Sequence, residues 1–206
     1  MDGTIADTSQ GIFKSYRHVA ELYGRKIPSN EELKDVIGGS LSTNLLRKLN
    51  LQSSEISQAL TDYRDYYGKC GYLESKVYPN FKETLSILFE KGHRLSIATM
   101  KSDKFAKKLI AEWGLEKYFT SIHGMDEHDS ITKPKMIKMC MDDVKYLPDN
   151  TVLVGDTIQD MMAANTSKIH FIAATYGFGF QKDECINCKI PFIESPIELI
   201  DVIEWI

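Results

Sequence analysis

The chain has 206 residues, 43% hydrophobic and 26% charged, with a formal charge of -4 and a pI near 5.8. That length buries one substantial core and a smaller satellite, and the acidic balance offers no broad positive field for nucleic acid or an anionic membrane. Cys70, Cys140, Cys185 and Cys188 follow no disulfide-like spacing, no apolar run approaches the roughly 18 residues that span a bilayer, and no cleavable secretory signal opens the chain, so a reducing, cytoplasmic location is expected.

Over residues 9–23 the apolar positions Ile12, Tyr16, Val19 and Tyr23 recur at helical steps, and Gly24 ends the run. Residues 42–49, with Leu45, Leu46 and Leu49, and residues 54–67, with Ile56, Leu60, Tyr63 and Tyr67, repeat the pattern. Residues 10–75 therefore read as helices only. After Tyr78 and Pro79 helical stretches alternate with short apolar runs, the α/β signature. Residues 94–99 (RLSIAT), 151–155 (TVLVG) and 169–175 (IHFIAAT) are expected as strands of a parallel sheet buried on both faces, with a shorter one at 121–123. Residues 80–91, 103–113, 134–146 and 158–165 fill the gaps as crossover helices, and Ser195 before Pro196 is expected to cap a last one. The predicted organisation is a Rossmann-like α/β core of residues 1–9 and 76–206 with an inserted helical cap of residues 10–75.

In an open parallel sheet, ligands bind at the carboxyl ends of strands. Four such places carry chemistry: Asp2-Gly3-Thr4 opens the chain, Thr99 closes RLSIAT, Lys133 precedes Pro134, and Asp156-Thr157 with Asp160 follows TVLVG. Their order resembles the four motifs of the haloacid dehalogenase superfamily, and the helical insert after the first resembles its cap. The likeness covers nearly the whole chain and is nearest to the phosphoglycolate-phosphatase-like branch. It implies hydrolysis of a small phosphorylated metabolite, with Mg2+ as cofactor, by a monomer or homodimer.

Residue by residue, the resemblance makes Asp2 the acid that protonates the leaving oxygen and then activates water. Lys133, the Thr99 hydroxyl and the adjacent Met100 amide form the phosphate cradle. Asp156 and Asp160, with the backbone carbonyl of Asp2, hold the Mg2+, a hard cation that prefers oxygen ligands. Each also has a plainer reading, as a turn residue, a helix first-turn acid, a packed threonine or a solvated lysine. Substrate choice is expected in the cap, where Arg17, His18, Arg47 and Lys48 are charged candidates, and the cap is expected to move on linkers near residues 10 and 75.

In the family pattern D-x-D-G-T the first aspartate attacks phosphorus from the end of a central strand, and here Met1 stands at x. The first core strand is thus expected to be truncated, its neighbours left with unpaired backbone groups. The intact remaining motifs favour a start placed too far downstream over a chain that has lost catalysis and serves as a binding protein. A phosphomutase shares every motif, whereas the presence of Asp2 argues against a dehalogenase.

Other features invite less. Cys185-x-x-Cys188 lacks a second pair for a closed zinc site and reads as incidental. His123 and His128 read as solvated, Trp113 and Trp205 as packed, and Asp7 and Thr8 as caps of the first cap helix. Asn165-Thr166-Ser167 replaces the small-residue turn usual after the last family helix, with a local packing effect expected.

Overall fold

The computed structural model describes residues 1–127 and 130–205. The chain divides into two compact units, one of Asp2 and Asp7–Lys76, the other of Met1, Gly3–Ala6 and Val77–Ile206. It passes between them at two short strands, β1 (Ala6–Asp7) and β2 (Lys76–Val77), which pair with each other. Neither is foreshadowed in the sequence, because two residues carry no periodicity.

The first unit holds α1 (Ser9–Leu22), α2 (Asn30–Leu33), α3 (Leu41–Leu49) and α4 (Ile56–Lys69). The helical spacing in α1 buries Ile12, Tyr16 and Val19, while Tyr23 caps the helix half-exposed and its hydroxyl donates to Asp62 at 2.9 Å. The Tyr16 ring meets Tyr63 of α4 edge-on at 5.3 Å between centroids, and Tyr63 stacks on Tyr67 at 6.1 Å. Leu45 and Leu49 of α3 complete this core. Each such buried side chain is worth about 1.5 to 3 kcal/mol. A capping box between Ser29 and Glu32 starts α2, and the Ser40 hydroxyl accepts from the Thr43 amide at the start of α3. The charged candidates are tied within this unit: Arg17 donates to the Pro28 carbonyl and Asn30, Arg47 to Asp35 and Asn44, Lys48 pairs with Asp35, and His18 stacks on Tyr66 at 4.3 Å.

The second unit is α/β. In chain order it contains α5 (Phe81–Glu90), β3 (Leu95–Ser102), α6 (Asp103–Glu112), β4 (Phe119–Met125), α7 (Lys133–Val144), β5 (Val152–Gly155), α8 (Ile158–Ser167), β6 (His170–Ala174), α9 (Lys182–Cys188), β7 (Phe192–Ile193) and α10 (Leu199–Val202). β3 and β4 run parallel, and β5, β6 and β7 form a second parallel sheet in that order. Residues 171–174 of β6 are buried throughout, as a strand covered on both faces must be. Ile137, Ala163, Ala164, Phe171, Phe180 and Cys185 pack together around it.

β3 and β5 are less buried than expected. The reason is a cleft of about 250 Å3 running along both, lined by Ile97 and Ala98, by Leu153 and Val154, and by Leu85 and Ile137 from the helices. Among the described residues β3 pairs only with β4, and β5 only with β6 and no other strand.

Several local expectations change. β4 extends well beyond residues 121–123, and α9 and β7 are additional, α9 being a short polar helix that buries only Cys185. The last helix breaks into a 3-10 turn, Pro196–Glu198, before α10, and the Ser195 hydroxyl donates to the Glu198 carboxylate instead of capping a backbone amide. Asn165, Thr166 and Ser167 continue α8, which ends on Lys168 in the left-handed region at φ 57°. Trp113 is half-buried at the end of α6; His128 and the side chain of Trp205 lie outside the described residues. Among the described residues no helix is long and apolar enough to cross a membrane.

Candidate active site

β5 delivers Asp156 just beyond its last residue, Gly155, where the side chain is only 2% exposed. The Thr4 hydroxyl donates to its Oδ1 at 3.1 Å and the Phe178 amide to its Oδ2 at 3.0 Å, while the Phe180 amide donates to its main-chain oxygen at 2.9 Å. Burial pushes the Asp156 carboxyl above the usual carboxylate range, and the like charge of Asp160 adds to this against the two hydrogen bonds.

Asp160 lies one turn into α8. Thr157 caps that helix, accepting from the Asp160 amide, and Thr157 donates its own amide and hydroxyl to Asp160 Oδ2 at 3.0 and 2.8 Å. The remaining Oδ1 binds the Lys133 ammonium, presented from the first position of α7 ahead of Pro134. Burial by itself would raise the Asp160 carboxyl, yet the Lys133 charge and hydrogen bond outweigh it and hold Asp160 below the usual range. The buried Asp156 and Asp160 thus interact at the carboxyl end of β5, with the partly buried Lys133 bound to Asp160.

The other predicted residues lie as follows. Thr99 is buried in β3 and its hydroxyl accepts from the Lys101 amide at 3.2 Å, with half-buried Met100 between them. Asp2 groups with the helical unit, where the Thr8 hydroxyl donates to its Oδ1 at 2.6 Å. This corrects the reading of Thr8 as a side-chain cap: Thr8 holds the N-cap position of α1 without capping it, and Asp7 Oδ1 accepts from the Ser9 amide instead. His123 pairs with Asp143 at 2.6 Å on β4 instead of standing solvated in a loop. Cys185 is buried and Cys188 exposed, so the two thiols point into different surroundings. Among the described residues no group of three or more His, Cys, Asp and Glu side chains converges on a metal position.

Sequence reasoning missed the loop that follows β6, residues 175–180 (TYGFGF). Besides the Phe178 and Phe180 amides, it brings the Tyr176 hydroxyl to the Thr4 carbonyl at 2.9 Å and lays Gly177 against Asp156 and the Gly3 carbonyl. A side chain at Gly177 would overlap Asp156, and one at Gly3, whose φ is +72°, would overlap the same carboxylate. The available signal was the position after a strand, together with two closely spaced glycines.

With this geometry in view, three comparisons bear on the chain. A family model for haloacid dehalogenase-like hydrolases matches residues 1–174. The chain is similar to a 5'-nucleotidase of Pseudomonas aeruginosa, 25% identical over 89% of this chain and 83% of the relative. It is also similar to a phosphoglycolate phosphatase of Vibrio parahaemolyticus, 26% identical over 98% of this chain and 93% of that one. The crystal structure of a predicted phosphatase from Clostridium acetobutylicum superposes with a TM-score of 0.91 at 28% identity, covering 100% of this chain and 96% of the other.

Proposed function

Because the chain belongs to the haloacid dehalogenase-like hydrolases, we propose that it is a phosphatase acting on a small phosphate monoester, with Mg2+ and by way of an aspartyl-phosphate. The observation that carries this reading is the Lys133 ammonium held on Asp160 beside Asp156, at the strand end where a parallel sheet binds its ligands. Phosphatases among the similar proteins support it.

The donor set fits the ion. Asp156 and Asp160 offer hard oxygens, and burial disfavours the charge on Asp156, a cost that a cation would offset. Mg2+ needs only one or two carboxylates, the rest of its shell being water and phosphate oxygen. Asp156 and Asp160 would hold it, with the Asp2 carbonyl. When bound, it neutralises charge on the phosphoryl group and orients it.

The protein's own groups do the remainder. Lys133 places a positive charge against the phosphoryl oxygens, and the Thr99 hydroxyl and Met100 amide hold one of those oxygens. Asp2 gives its proton to the departing ester oxygen and then takes one from the attacking water. In the family pattern the attacking carboxylate belongs two positions before Asp2; the bond from phosphorus to the ester oxygen breaks as the acyl phosphate forms, and water then releases inorganic phosphate.

The test is phosphate release from a panel of monoesters that includes phosphoglycolate, nucleoside 5'-monophosphates and sugar phosphates. The enzyme is the chain extended at Met1 by an apolar strand that places an aspartate two positions before Asp2. Expected are Mg2+-dependent release and a loss of about 100- to 1000-fold in Lys133→Ala. A folded, extended chain that hydrolyses no ester overturns the reading, and transfer of phosphate to a second position of the substrate would make it a mutase.

A further inference from the structure

Asp156 is gripped from two directions, and the outer residue of one grip has no place in the hydrolytic scheme. On one side the Phe178 amide meets Oδ2; on the other the Thr4 hydroxyl meets Oδ1. Thr4 lies in a tight turn whose amides fold back on Met1 and Ala6, and its carbonyl accepts the Tyr176 hydroxyl at 2.9 Å. The Tyr176 ring is fixed in turn by Tyr78, edge-on at 4.8 Å between centroids. One unbroken series of contacts therefore runs from Tyr78 through Tyr176 and Thr4 to the carboxylate.

A carboxylate that must capture a cation loses side-chain freedom when it does so, and a partner that freezes it beforehand removes that cost. Hydrogen bonds behind a metal ligand commonly govern affinity in this way. The Tyr176 hydroxyl suits the task because burial raises its pKa well above the usual phenol range, so it stays a donor at any ordinary pH.

We propose that Tyr176 is a positioning residue for Asp156: its hydroxyl anchors the Thr4 carbonyl, which keeps the Thr4 hydroxyl on Oδ1 and so presets the carboxylate for a divalent cation. This rests on the reading of Asp156 as a Mg2+ ligand. It extends that reading to a residue on another strand end, which touches neither ion nor substrate.

Calorimetric titration of the chain with Mg2+ alone tests it, with melting curves to confirm that each variant folds. Tyr176→Phe, which keeps the ring and removes only the hydroxyl, is expected to weaken Mg2+ by about 10-fold, the low end for groups behind a metal ligand. Thr4→Val should weaken it at least as much, Thr4→Ser should restore it, and Tyr176→Phe added to Thr4→Val should cost nothing further, since the effect travels through the threonine hydroxyl. Unchanged affinity in Tyr176→Phe, or losses that simply add in the double variant, overturn the proposal even if Asp156→Asn abolishes binding. If Asp156→Asn binds Mg2+ like the parent, or the parent binds none, the metal reading fails first and the proposal with it.

Discussion

Lys133 and Asp160 lie together with 16% and 6% of their side chains exposed, and each offsets the cost of the other's charge there. Removing one member of such a pair strands a charge, at a typical cost of about 3 to 5 kcal/mol, whereas removing both can be close to neutral. Lys133→Ala is therefore expected to lower unfolding stability by about 3 kcal/mol at neutral pH, and adding Asp160→Asn should recover most of it; urea unfolding measures both. Equal losses in the single and double variants would show that the pair contributes nothing as a pair. The acid dependence has a definite sign. Asp160 titrates below its unfolded value, so its contribution is complete above the usual carboxylate range and drains away as pH falls through the depressed folded pKa. Asp156 titrates above its unfolded value, so its contribution is present in acid and lost as pH rises through the raised pKa. Asp156→Asn should then stabilise the metal-free protein at neutral pH, an amide keeping an acceptor for Phe178 and a donor for Thr4.

The helices α7, α8 and α9 end on Lys145, Lys168 and Lys189, all with positive φ between 55° and 58°. A lysine in that region carries a steric cost that glycine avoids, so Lys168→Gly should stabilise the protein by about 1 kcal/mol in thermal unfolding. A drop in melting temperature would mean that the lysine side chain contributes more than its backbone costs. The same elements mark how far the sequence can be read. The alternation of β3, β5 and β6 with helices is legible, since apolar runs flanked by helical periodicity persist over many residues. β1, β2 and β7 are not, because strands of two residues are set by their pairing partners. The extra helix α9 escapes because it buries a single residue. At the site, the acids and Lys133 announce themselves by residue type and place after a strand. The loop of residues 175–180 acts mostly through backbone amides, which any sequence possesses, and only its glycines hint that a backbone comes close to something.

For the whole molecule, parallel α/β architecture and membership of the hydrolase family agree. The core nevertheless departs from a closed protein interior along one line, where β3 and β5 border the apolar cleft of about 250 Å3. Apolar surface left accessible in a native state is a host for hydrophobic fluorescent dyes such as ANS, whose emission normally marks partly unfolded states. The 206-residue chain is expected to raise ANS emission at neutral pH and without denaturant, with far-ultraviolet circular dichroism unchanged. No enhancement by the folded chain would mean that the cleft is closed in solution. If it is open, a melting experiment that relies on a dye brightening upon unfolding will start bright and lose its contrast, and circular dichroism is the readout by which variants of this protein should be ranked.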